Sequence, residues 1–408
     1  MSRTDSKAAL RQYLIITTNY WSFTLTDGAL RTLVVLYFHQ LGYAPLEIAL
    51  LFVFYEAFGV ATNLIGGWLG ARIGLNKIMN IGLLLQVIAL SALLVPSDYL
   101  TVLWVMAAQA LSGIAKDLNK MSAKSAIKFL VPSDQSASLF KWVARLTGSK
   151  NTLKGVGFFL GGALLTTLGF RSAIFVMAAA LFIVWLCSLV LLNDNRALKS
   201  DSLETNNKPK FRDIFSKSPA INTLSAARLF LFGARDVWFV VALPVYLSAN
   251  VGWSHTFVGG FLAAWVIFYG LVQSSAPSLY KPSVIKHSIG KTAFKWSAPL
   301  ALIPTFIALA LANQSHAEIS LVIGLLIFGG FFAINSALHS FLIVHFASSD
   351  NVSLDVGFYY MANASGRLLG TVLSGYVFQA HGLEACLIIS SLFIATAACL
   401  SLRLDSQA

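Results

Sequence analysis

The sequence predicts an all-α membrane protein with twelve transmembrane helices in two six-helix bundles. Of the 408 residues, 57% are hydrophobic and only 11% are charged, against roughly 25% charged in an ordinary soluble domain. Apolar residues continue for about 20 positions at a time, the length that crosses a bilayer as a helix, without the alternation of a transmembrane β-barrel. These runs form two groups of six, which a polar segment separates.

The first six predicted spans lie near residues 13–38, 46–70, 77–95, 99–119, 139–168 and 172–193. The next six lie near residues 219–248, 255–279, 292–313, 318–346, 354–380 and 383–402. The segment between the groups is polar and rich in lysine, which predicts a cytoplasmic linker without a packed core. The predicted domains are therefore a bundle at 1–193, a linker at 194–218 and a second bundle at 219–408.

The few charged residues indicate how the chain is inserted. The formal net charge is +12, and loops that stay in the cytoplasm retain lysine and arginine. With the N-terminus in the cytoplasm, the basic residues of the loops fall inside, while Arg171 alone falls outside. A multi-pass protein with both termini in the cytoplasm is therefore predicted. Its positive net charge is attributed to these loops and spans, so membrane lipid and no nucleic acid is the predicted partner.

Several function classes are disfavoured by what the sequence lacks. Its cysteines stand singly in apolar runs, so no metal site and no cofactor are predicted. No H-E-x-x-H, G-x-S-x-G or Walker A pattern occurs, which disfavours an intramembrane enzyme and a self-contained ATP-driven pump. A receptor or scaffold without transport is disfavoured because no soluble domain accompanies the spans.

The two halves share one internal repeat. Four residues of span 5 match four of span 11 at a constant offset of 213 positions: Lys154 with Arg367, Gly157 with Gly370, Gly162 with Gly375 and Gly169 with Gly382. Two related bundles are the expected architecture of many membrane carriers. Glycines at such spacing also let helices approach closely, so a packing interpretation stays open.

Charged residues are distributed unevenly among the spans. Spans 3, 6, 9 and 12 contain none in their interiors, whereas spans 1, 2, 4, 5, 7 and 11 do. A charge at membrane depth costs about 2.5–3.5 kcal/mol, so it persists mainly where it lines a cavity or finds a partner. This pattern predicts supporting helices that face lipid and others that surround a central route.

Spans 1 and 2 contribute one arginine and two carboxylates. Asp27 and Arg31 are four residues apart, acid first, which favours an ion pair on one helical face. Two interpretations remain open: a structural pair, or a substrate-binding arginine beside a carboxylate that exchanges a proton. Glu56 in span 2 either pairs with a cation or carries a proton.

Spans 4 and 5 contribute lysines and amides. Lys116, Asp117, Asn119 and Lys120 are candidates for the mouth of a cavity, with Asn151 and Lys154 in span 5. The lysines of span 4 recur every four residues and therefore form a stripe on one face. Lys124 and Lys128, further along the stripe, are predicted to form a solvated cytoplasmic face.

The second half contributes three arginines and two histidines. Arg228 and Arg235 in span 7, seven residues apart, lie nearly on one face; Arg235 is predicted near the middle of the span, and Arg228 as a cytoplasmic gate or an interfacial anchor. The adjacent Asp236 is expected to pair across helices, and Arg367 with Asn363 gives span 11 a polar centre. His339 and His345 are either hydrogen-bonded core residues or parts of a proton relay.

Interior cations outnumber interior anions: eight candidates, or nine if Lys124 lies inside, against four. Guanidinium groups suit the oxygens of phosphate, arsenate or carboxylate, so the predicted cargo is a multiply charged organic anion. The predicted substrate-binding residues are Arg31, Lys120, Lys154, Arg235, Arg367, Asn119, Asn151 and Asn363. The carboxylates predicted to couple protons or to pair with these cations are Asp27, Glu56, Asp117 and Asp236.

The loop after span 2 resembles a motif of the major facilitator superfamily, G-x-x-x-D-R-x-G-R-K. The stretch from Gly67 to Lys77 keeps both glycines, an arginine and the final lysine, while Ala71 replaces the aspartate. This resemblance implies a gating function for Gly67, Arg72, Gly74 and Lys77. The arginines of spans 1 and 7 also resemble the phosphate-binding pair of organophosphate antiporters of that superfamily.

Longer strings resemble the organoarsenical efflux carriers of the ArsJ type. They are TLTDGALRTLVVLYFHQLGY, NLIGGWLGARIGLNK, QALSGIAKDLNKMSAKSAIK, LTGSKNTLKGVGFFLGGALL and SAARLFLFGARDVWFVVALPVY. The resemblance implies export of 1-arseno-3-phosphoglycerate across a bacterial inner membrane, a partnership with a glyceraldehyde-3-phosphate dehydrogenase that makes this ester, and arsenate resistance. The alternative is a carrier of the same superfamily for another organic anion or phosphate ester.

Overall fold

A computed structural model gives the fold of the chain. It describes residues 3–42, 51, 53–131, 135–192, 218–279, 289–313, 317–348 and 352–406. Within these ranges every regular element is helical and no strand occurs. Seven helical stretches of the described ranges are long and apolar enough to cross a membrane. The all-α fold is therefore confirmed, while the count of twelve spans stays a prediction.

The helices that precede the linker are α1 (Arg3–Gln40), α2 (Val53–Ile73), α3 (Leu75–Ala92), α4 (Val102–Leu130) and α5 (Ser136–Leu191). The helices that follow it are α6 (Pro219–Phe239), α7 (Ala242–Ala249), α8 (His255–Ser275), α9 (Ile289–Ala312), α10 (Ala317–Phe346) and α11 (Val352–Leu402). Short 3₁₀ turns occupy Ser97–Tyr99, Ala276–Leu279 and Arg403–Ser406. Of the predicted linker, only Ser218 belongs to the described residues.

The two longest helices, α5 and α11, are each divided by one glycine. Gly169 has φ 74° and ψ 170°, and Gly382 has φ 77° and ψ −176°. This backbone region is essentially restricted to glycine, because a Cβ atom would clash there. The kink at Gly169 separates spans 5 and 6, and the kink at Gly382 separates spans 11 and 12, as predicted. The two glycines are 213 positions apart, which is the offset of the internal repeat.

The predicted span 219–248 corresponds to one apolar helical stretch, Pro219–Ala249, which contains a break that the sequence analysis did not predict. It divides into α6 and α7 at Val240 and Val241. Pro244 explains the break, because its ring has no N–H and clashes with the carbonyl four residues earlier. The hydroxyl of Ser374 accepts hydrogen bonds from the N–H groups of Val241 and Ala242, at 3.3 and 3.0 Å, so the freed amides stay satisfied in an apolar environment.

Helix α4 is longer than the predicted span at 99–119. It begins after Thr101, whose side chain accepts from the N–H of Trp104 at 3.3 Å, and continues to Leu130. Most residues of its last three turns are buried inside the protein. The hydropathy pattern ends at Asn119 because lysines follow, but the helix itself does not end there. The lysine stripe therefore lies on one continuous helix.

The described chain forms two compact units. The first contains residues 1–135, 149–215 and 347–361, and the second contains residues 136–148, 216–346 and 362–408. The start of α5 thus belongs to the second unit, and the start of α11 belongs to the first. The predicted division into 1–193, 194–218 and 219–408 stays a prediction.

Each unit contains a close contact between two helices at the repeated glycines. In the first unit, a Cβ atom on Gly157 of α5 would lie 2.8 Å from the carbonyl oxygen of Leu25 in α1. In the second unit, a Cβ atom on Gly370 of α11 would lie 2.6 Å from the carbonyl oxygen of Gly233 in α6. The same repeat position therefore brings together corresponding helices in both units.

Candidate functional site

In the first unit, Tyr55 of α2 connects the charged residues of α1 and α4. Its hydroxyl donates a hydrogen bond to Asp27 Oδ1 at 2.6 Å, and both residues are buried. Arg31 Cζ lies 4.1 Å from the centroid of the tyrosine ring, and Lys116 Nζ lies 3.8 Å from it. Both distances are within the range of a cation–π interaction. Asp27 and Arg31, the predicted pair, thus meet at one aromatic side chain.

Asp117 is the second buried carboxylate of the first unit. Lys120 Nζ donates to its Oδ1 at 2.5 Å, and Lys116 Nζ lies 3.9 Å from its Oδ2. The side chains of the two lysines are 13% and 15% exposed, whereas Asp117 is 2% exposed. One carboxylate therefore neutralises only part of the positive charge of α4.

Tyr360, at the start of α11, is the second aromatic partner of two cations in the first unit. Lys120 Nζ and Lys124 Nζ lie 4.6 and 4.8 Å from its ring centroid, and Lys124 Nζ also donates a hydrogen bond to its hydroxyl oxygen. Lys124 is only 3% exposed. The predicted solvated face is therefore wrong for Lys124, because Tyr360 and neighbouring side chains cover it; Lys128 is half-buried.

The other predicted residues of the first unit contact groups other than Tyr55. Asn119 is fully buried, donates to the carbonyl oxygen of Ala115 at 3.0 Å, and packs against α3 at Gly82. Asn151 accepts a hydrogen bond from Lys150 at 3.3 Å. Lys154 Nζ lies 5.9 Å from the ring centroid of Phe158. The side chain of Glu56 lies outside the described residues.

In the second unit, Asp236 holds two arginines. Arg235 binds its Oδ1 through Nε at 2.6 Å and a terminal nitrogen at 2.5 Å. Arg367 of α11 donates from Nε to Oδ2 at 3.0 Å. Asp236 is fully buried, while the two arginine side chains are 16% and 27% exposed. The predicted pairing of Asp236 across helices is confirmed, and it joins α6 to α11.

Arg228 is buried and is held by neutral groups. Its Nε donates to Asn363 Oδ1 at 2.9 Å, and a terminal nitrogen donates to the hydroxyl of Ser336 at 3.3 Å. Gln273 donates to the same hydroxyl at 3.1 Å. Arg228 is 3% exposed, so it is not an interfacial anchor. Amide and hydroxyl oxygens orient a guanidinium group without cancelling its charge.

Phe232 is the aromatic counterpart in the second unit. Arg228 Cζ lies 3.7 Å from its ring centroid and Arg235 Cζ lies 5.0 Å from it.

The two predicted histidines differ in their surroundings. His339, three residues after Ser336, is fully buried, and its ring nitrogens make no hydrogen bond within the described residues. His345 instead stacks on Phe341, with ring centroids 5.2 Å apart. The predicted hydrogen-bonded core histidine is therefore not found at His339.

The four motif residues after span 2 lie at the end of α2 and the start of α3. A Cβ atom on Gly67 would lie 2.5 Å from the carbonyl oxygen of Ser353, in the α11 segment of the first unit. Gly74 has φ 96° and caps α3. Arg72 and Lys77 are exposed, and Arg72 Cζ lies 4.9 Å from the Trp68 ring centroid. Gating by these residues stays a prediction.

Two clusters of charge result, one in each unit. We define the first cluster as Arg31, Lys116, Lys120, Lys124, Asp27 and Asp117, and the second cluster as Arg228, Arg235, Arg367 and Asp236. Among the described side chains, the first cluster has four cations and two carboxylates, and the second cluster has three cations and one carboxylate. The described residues contain no group of histidine, cysteine or carboxylate side chains that could hold a metal ion. Both clusters are therefore suited to bind anions.

The aromatic partners were not predicted from the sequence. Tyr55, Phe232 and Tyr360 each contact two cations. One signal was present: Phe232 lies four residues after Arg228 and three before Arg235, so it shares their helical face. No comparable spacing relates Tyr55 or Tyr360 to the lysines, because they lie on other helices.

Comparison with known proteins identifies the family. The family model described as Major Facilitator Superfamily matches residues 14–351. Among curated proteins, none matches this chain.

Solved structures show the same fold. The proton:xylose symporter XylE bound to 6-bromo-6-deoxy-D-glucose superposes with a TM-score of 0.76 at 14% identity, over 98% of this chain and 96% of that chain. The human organic anion transporter MFSD10 (TETRAN) gives a TM-score of 0.71 at 15% identity, over 96% and 99%. The E. coli fucose:proton symporter FucP gives 0.69 at 12% identity, over 97% and 98%. At such identities the likeness establishes the fold alone.

Proposed function

Since the chain belongs to the Major Facilitator Superfamily, whose members are membrane carriers and not enzymes, we propose that it exports 1-arseno-3-phosphoglycerate and so confers arsenate resistance. The observation that carries this proposal is the gathering of buried and partly buried cations around the buried carboxylates of both clusters. We further propose that the protein lies in a bacterial inner membrane with both termini in the cytoplasm. A glyceraldehyde-3-phosphate dehydrogenase supplies the ester in this proposal.

The surplus charge favours an anionic cargo. Charged side chains at membrane depth mainly line a cavity or find a partner, and in each cluster the described cations outnumber the described carboxylates. A transported anion that enters the site meets several cations at once. A neutral sugar would leave the charge of both clusters unchanged, so the clusters favour an anion over a sugar such as xylose or fucose.

The chemistry of the cations favours tetrahedral oxyanions. Guanidinium groups bind two oxygens of one phosphate or carboxylate in a fork, and the second cluster contains three of them. The arsenylated ester carries a phosphate and an arsenate group, each with several oxygens. The resemblance of the long strings to organoarsenical efflux carriers selects this ester among organic anions.

Proton coupling is assigned to Asp27 in this proposal. Asp236 is committed to two arginines, and Asp117 is bound to lysines of its own helix. Asp27 instead accepts a hydrogen bond from the neutral hydroxyl of Tyr55. A neutral hydroxyl can donate to a carboxylate or accept from a carboxylic acid, so it suits a group that changes its proton.

Uptake into everted membrane vesicles tests the proposal. The arsenylated ester is made in place by the dehydrogenase, and 3-phosphoglycerate and free arsenate are measured beside it. We expect uptake of the ester, and loss of uptake in Arg31→Gln and Arg235→Gln. The matched control is Arg171→Gln, which removes an exposed arginine that donates to the carbonyl oxygen of Leu94 at 2.9 Å.

The outcomes separate the specific proposal from its alternative. Uptake of free arsenate but not of the ester would contradict arsenylated-ester export. Equal uptake of ordinary phosphate esters would instead support a general organic-anion carrier. Full activity of both arginine variants would show that the clusters are not the binding site.

A further inference from the structure

Four helices of the second unit are linked by hydrogen bonds around the side chain of Arg228. The arginine belongs to α6, and its bonding partners Asn363 and Ser336 belong to α11 and α10. Gln273 of α8 donates to the same hydroxyl of Ser336. Gln273 and Ser336 are both fully buried, and no motif or charge pattern of the sequence assigns a function to Gln273.

We propose that Gln273 is a positioning residue, which fixes the guanidinium group of Arg228 through the hydroxyl of Ser336 so that the second cluster can bind an anionic group of the cargo. This inference rests on the proposed function, because it explains how one cation of the second cluster is held in a binding orientation. The anionic group is a phosphate, an arsenate or a carboxylate, whose oxygens suit the fork of a guanidinium group.

The hydroxyl of Ser336 accepts two hydrogen bonds at once. Gln273 Nε2 donates to it at 3.1 Å, and a terminal nitrogen of Arg228 donates to it at 3.3 Å. A hydroxyl oxygen has two acceptor positions and one hydrogen to donate. Because the amide of Gln273 fills one acceptor position, the other stays directed at Arg228.

Without Gln273, the side chain of Ser336 would be less constrained. Serine side chains have three staggered rotamers, and another rotamer would take the hydroxyl oxygen away from the guanidinium group. Arg228 would then keep its hydrogen bonds to Asn363 and to the carbonyl oxygen of Ser336, at 2.9 and 3.4 Å. The second of these bonds is long, so the guanidinium group would gain freedom to turn.

The two arginines of α6 are oriented by different chemistry. Arg235 is bound by the carboxylate of Asp236, whereas the bonds of Arg228 described above go to amide, hydroxyl and carbonyl oxygens. Neutral acceptors fix the direction of a guanidinium group and add no negative charge that would repel a cargo anion. A neutral amide such as Gln273 therefore suits this position, and a carboxylate does not.

Substitutions at Gln273 and Ser336 test the proposal in proteoliposomes that exchange labelled 3-phosphoglycerate. Gln273→Met keeps an unbranched side chain and removes the donor, so we expect the apparent KM to rise about fivefold with little change in kcat. Gln273→Glu replaces the donor by a negative charge, and its KM should rise further. Ser336→Ala should raise the KM at least as much as Gln273→Met. The double variant, Gln273→Met with Ser336→Ala, should match Ser336→Ala alone, because Gln273 acts through that hydroxyl.

Ser297→Ala is the matched control. Ser297 of α9 is also buried, and it donates to Asn335 Oδ1, one residue before Ser336 in α10, at 2.8 Å. This substitution removes a bond of the same kind between neighbouring helices, so it should lower the melting temperature in detergent while the KM stays at the wild-type value. A rise in the KM of Ser297→Ala as large as that of Gln273→Met would reduce the effect of Gln273 to general packing and overturn the proposal.

Two further results would overturn the positioning of Arg228 by Gln273. The first is a wild-type KM in Gln273→Met or in Gln273→Glu, in protein that elutes as wild type on size exclusion. The second is a double variant whose rise in KM is the product of the two single rises, because Gln273 and Ser336 would then act independently. Anion transport itself would stand in both cases. A wild-type protein that exchanges neither 3-phosphoglycerate nor the arsenylated ester would instead contradict the proposed function, and the positioning with it.

Discussion

The two units hold their buried cations by different means. In the first unit, lysines of α4 surround Asp117 on their own helix, and Tyr55 and Tyr360 supply aromatic faces. In the second unit, the cations are arginines, and Asp236 binds the adjacent Arg235 and, across to α11, Arg367. The first cluster therefore contains a local ion pair, whereas the second cluster is also a tie between helices. In both clusters the cations outnumber the carboxylates among the described side chains.

The largest expected effect comes from removing the charge of Asp236. Asp236→Asn removes the fully buried carboxylate that holds the partly buried Arg235 and Arg367, and breaking a buried ion pair costs up to about 3–5 kcal/mol. We expect a marked loss of folded protein and of thermal stability, measured by fluorescence-detected size exclusion in detergent. Asp117→Asn is the matched variant, and it should lose less because Asp117 pairs with lysines of its own helix, whereas Asp236 also joins α6 to α11. If Asp117→Asn lost as much folded protein and thermal stability as Asp236→Asn, the distinction between the two clusters would be contradicted.

A smaller effect should appear at the repeated glycines, where the two units are predicted to behave alike. In Gly370→Ala, the new methyl group meets the carbonyl oxygen of Gly233 at 2.6 Å, and overpacking of this kind costs about 1–3 kcal/mol. Gly157→Ala should cost a similar amount in the first unit. Gly375→Ala and Gly162→Ala are the controls, because no atom lies within 3.4 Å of their new methyl groups. Melting temperatures in detergent measure the difference, and controls as unstable as the test variants would contradict the repeated contact.

The smallest expected effect concerns the choice between arginine and lysine. Arg228→Lys cannot keep hydrogen bonds to both Asn363 and Ser336, because lysine lacks the planar fork. We expect about a tenfold rise in the apparent KM for 3-phosphoglycerate, which corresponds to about 1.4 kcal/mol. Lys116→Arg should raise the KM less, since a ring face accepts either cation. A larger rise in the apparent KM for Lys116→Arg than for Arg228→Lys would contradict this comparison.

Composition, charge placement and glycine spacing predicted the helical membrane fold and most of the charged residues discussed above. These signals are local or periodic, so a single sequence reveals them. Gly169 and Gly382 illustrate this, because the ends of the apolar runs and the repeat offset both coincide with their kinks. Pro244 could also have been used to predict the break between α6 and α7, but the uniform hydropathy of residues 219–248 concealed it.

The partners of the charged residues could not be predicted in the same way. The chain contains 30 phenylalanines and 12 tyrosines, and which ring meets which cation depends on how each helix is rotated. Tyr55 and Tyr360 are recognised only once α2 and α11 are placed beside α4. Lys124 was misassigned for the same reason: its neighbours in sequence indicate a solvated stripe, whereas a residue 236 positions away covers it.

Competition for exchange in proteoliposomes tests the central claim most directly, namely that the buried clusters select multiply charged anions. Wild-type protein exchanges labelled 3-phosphoglycerate, and the arsenylated ester, glycerate and glycerol compete with it. The cation surplus predicts that inhibition increases with negative charge, so that the ester competes best, glycerate weakly and glycerol not at all. Competition by glycerol as strong as that by the ester would contradict the claim.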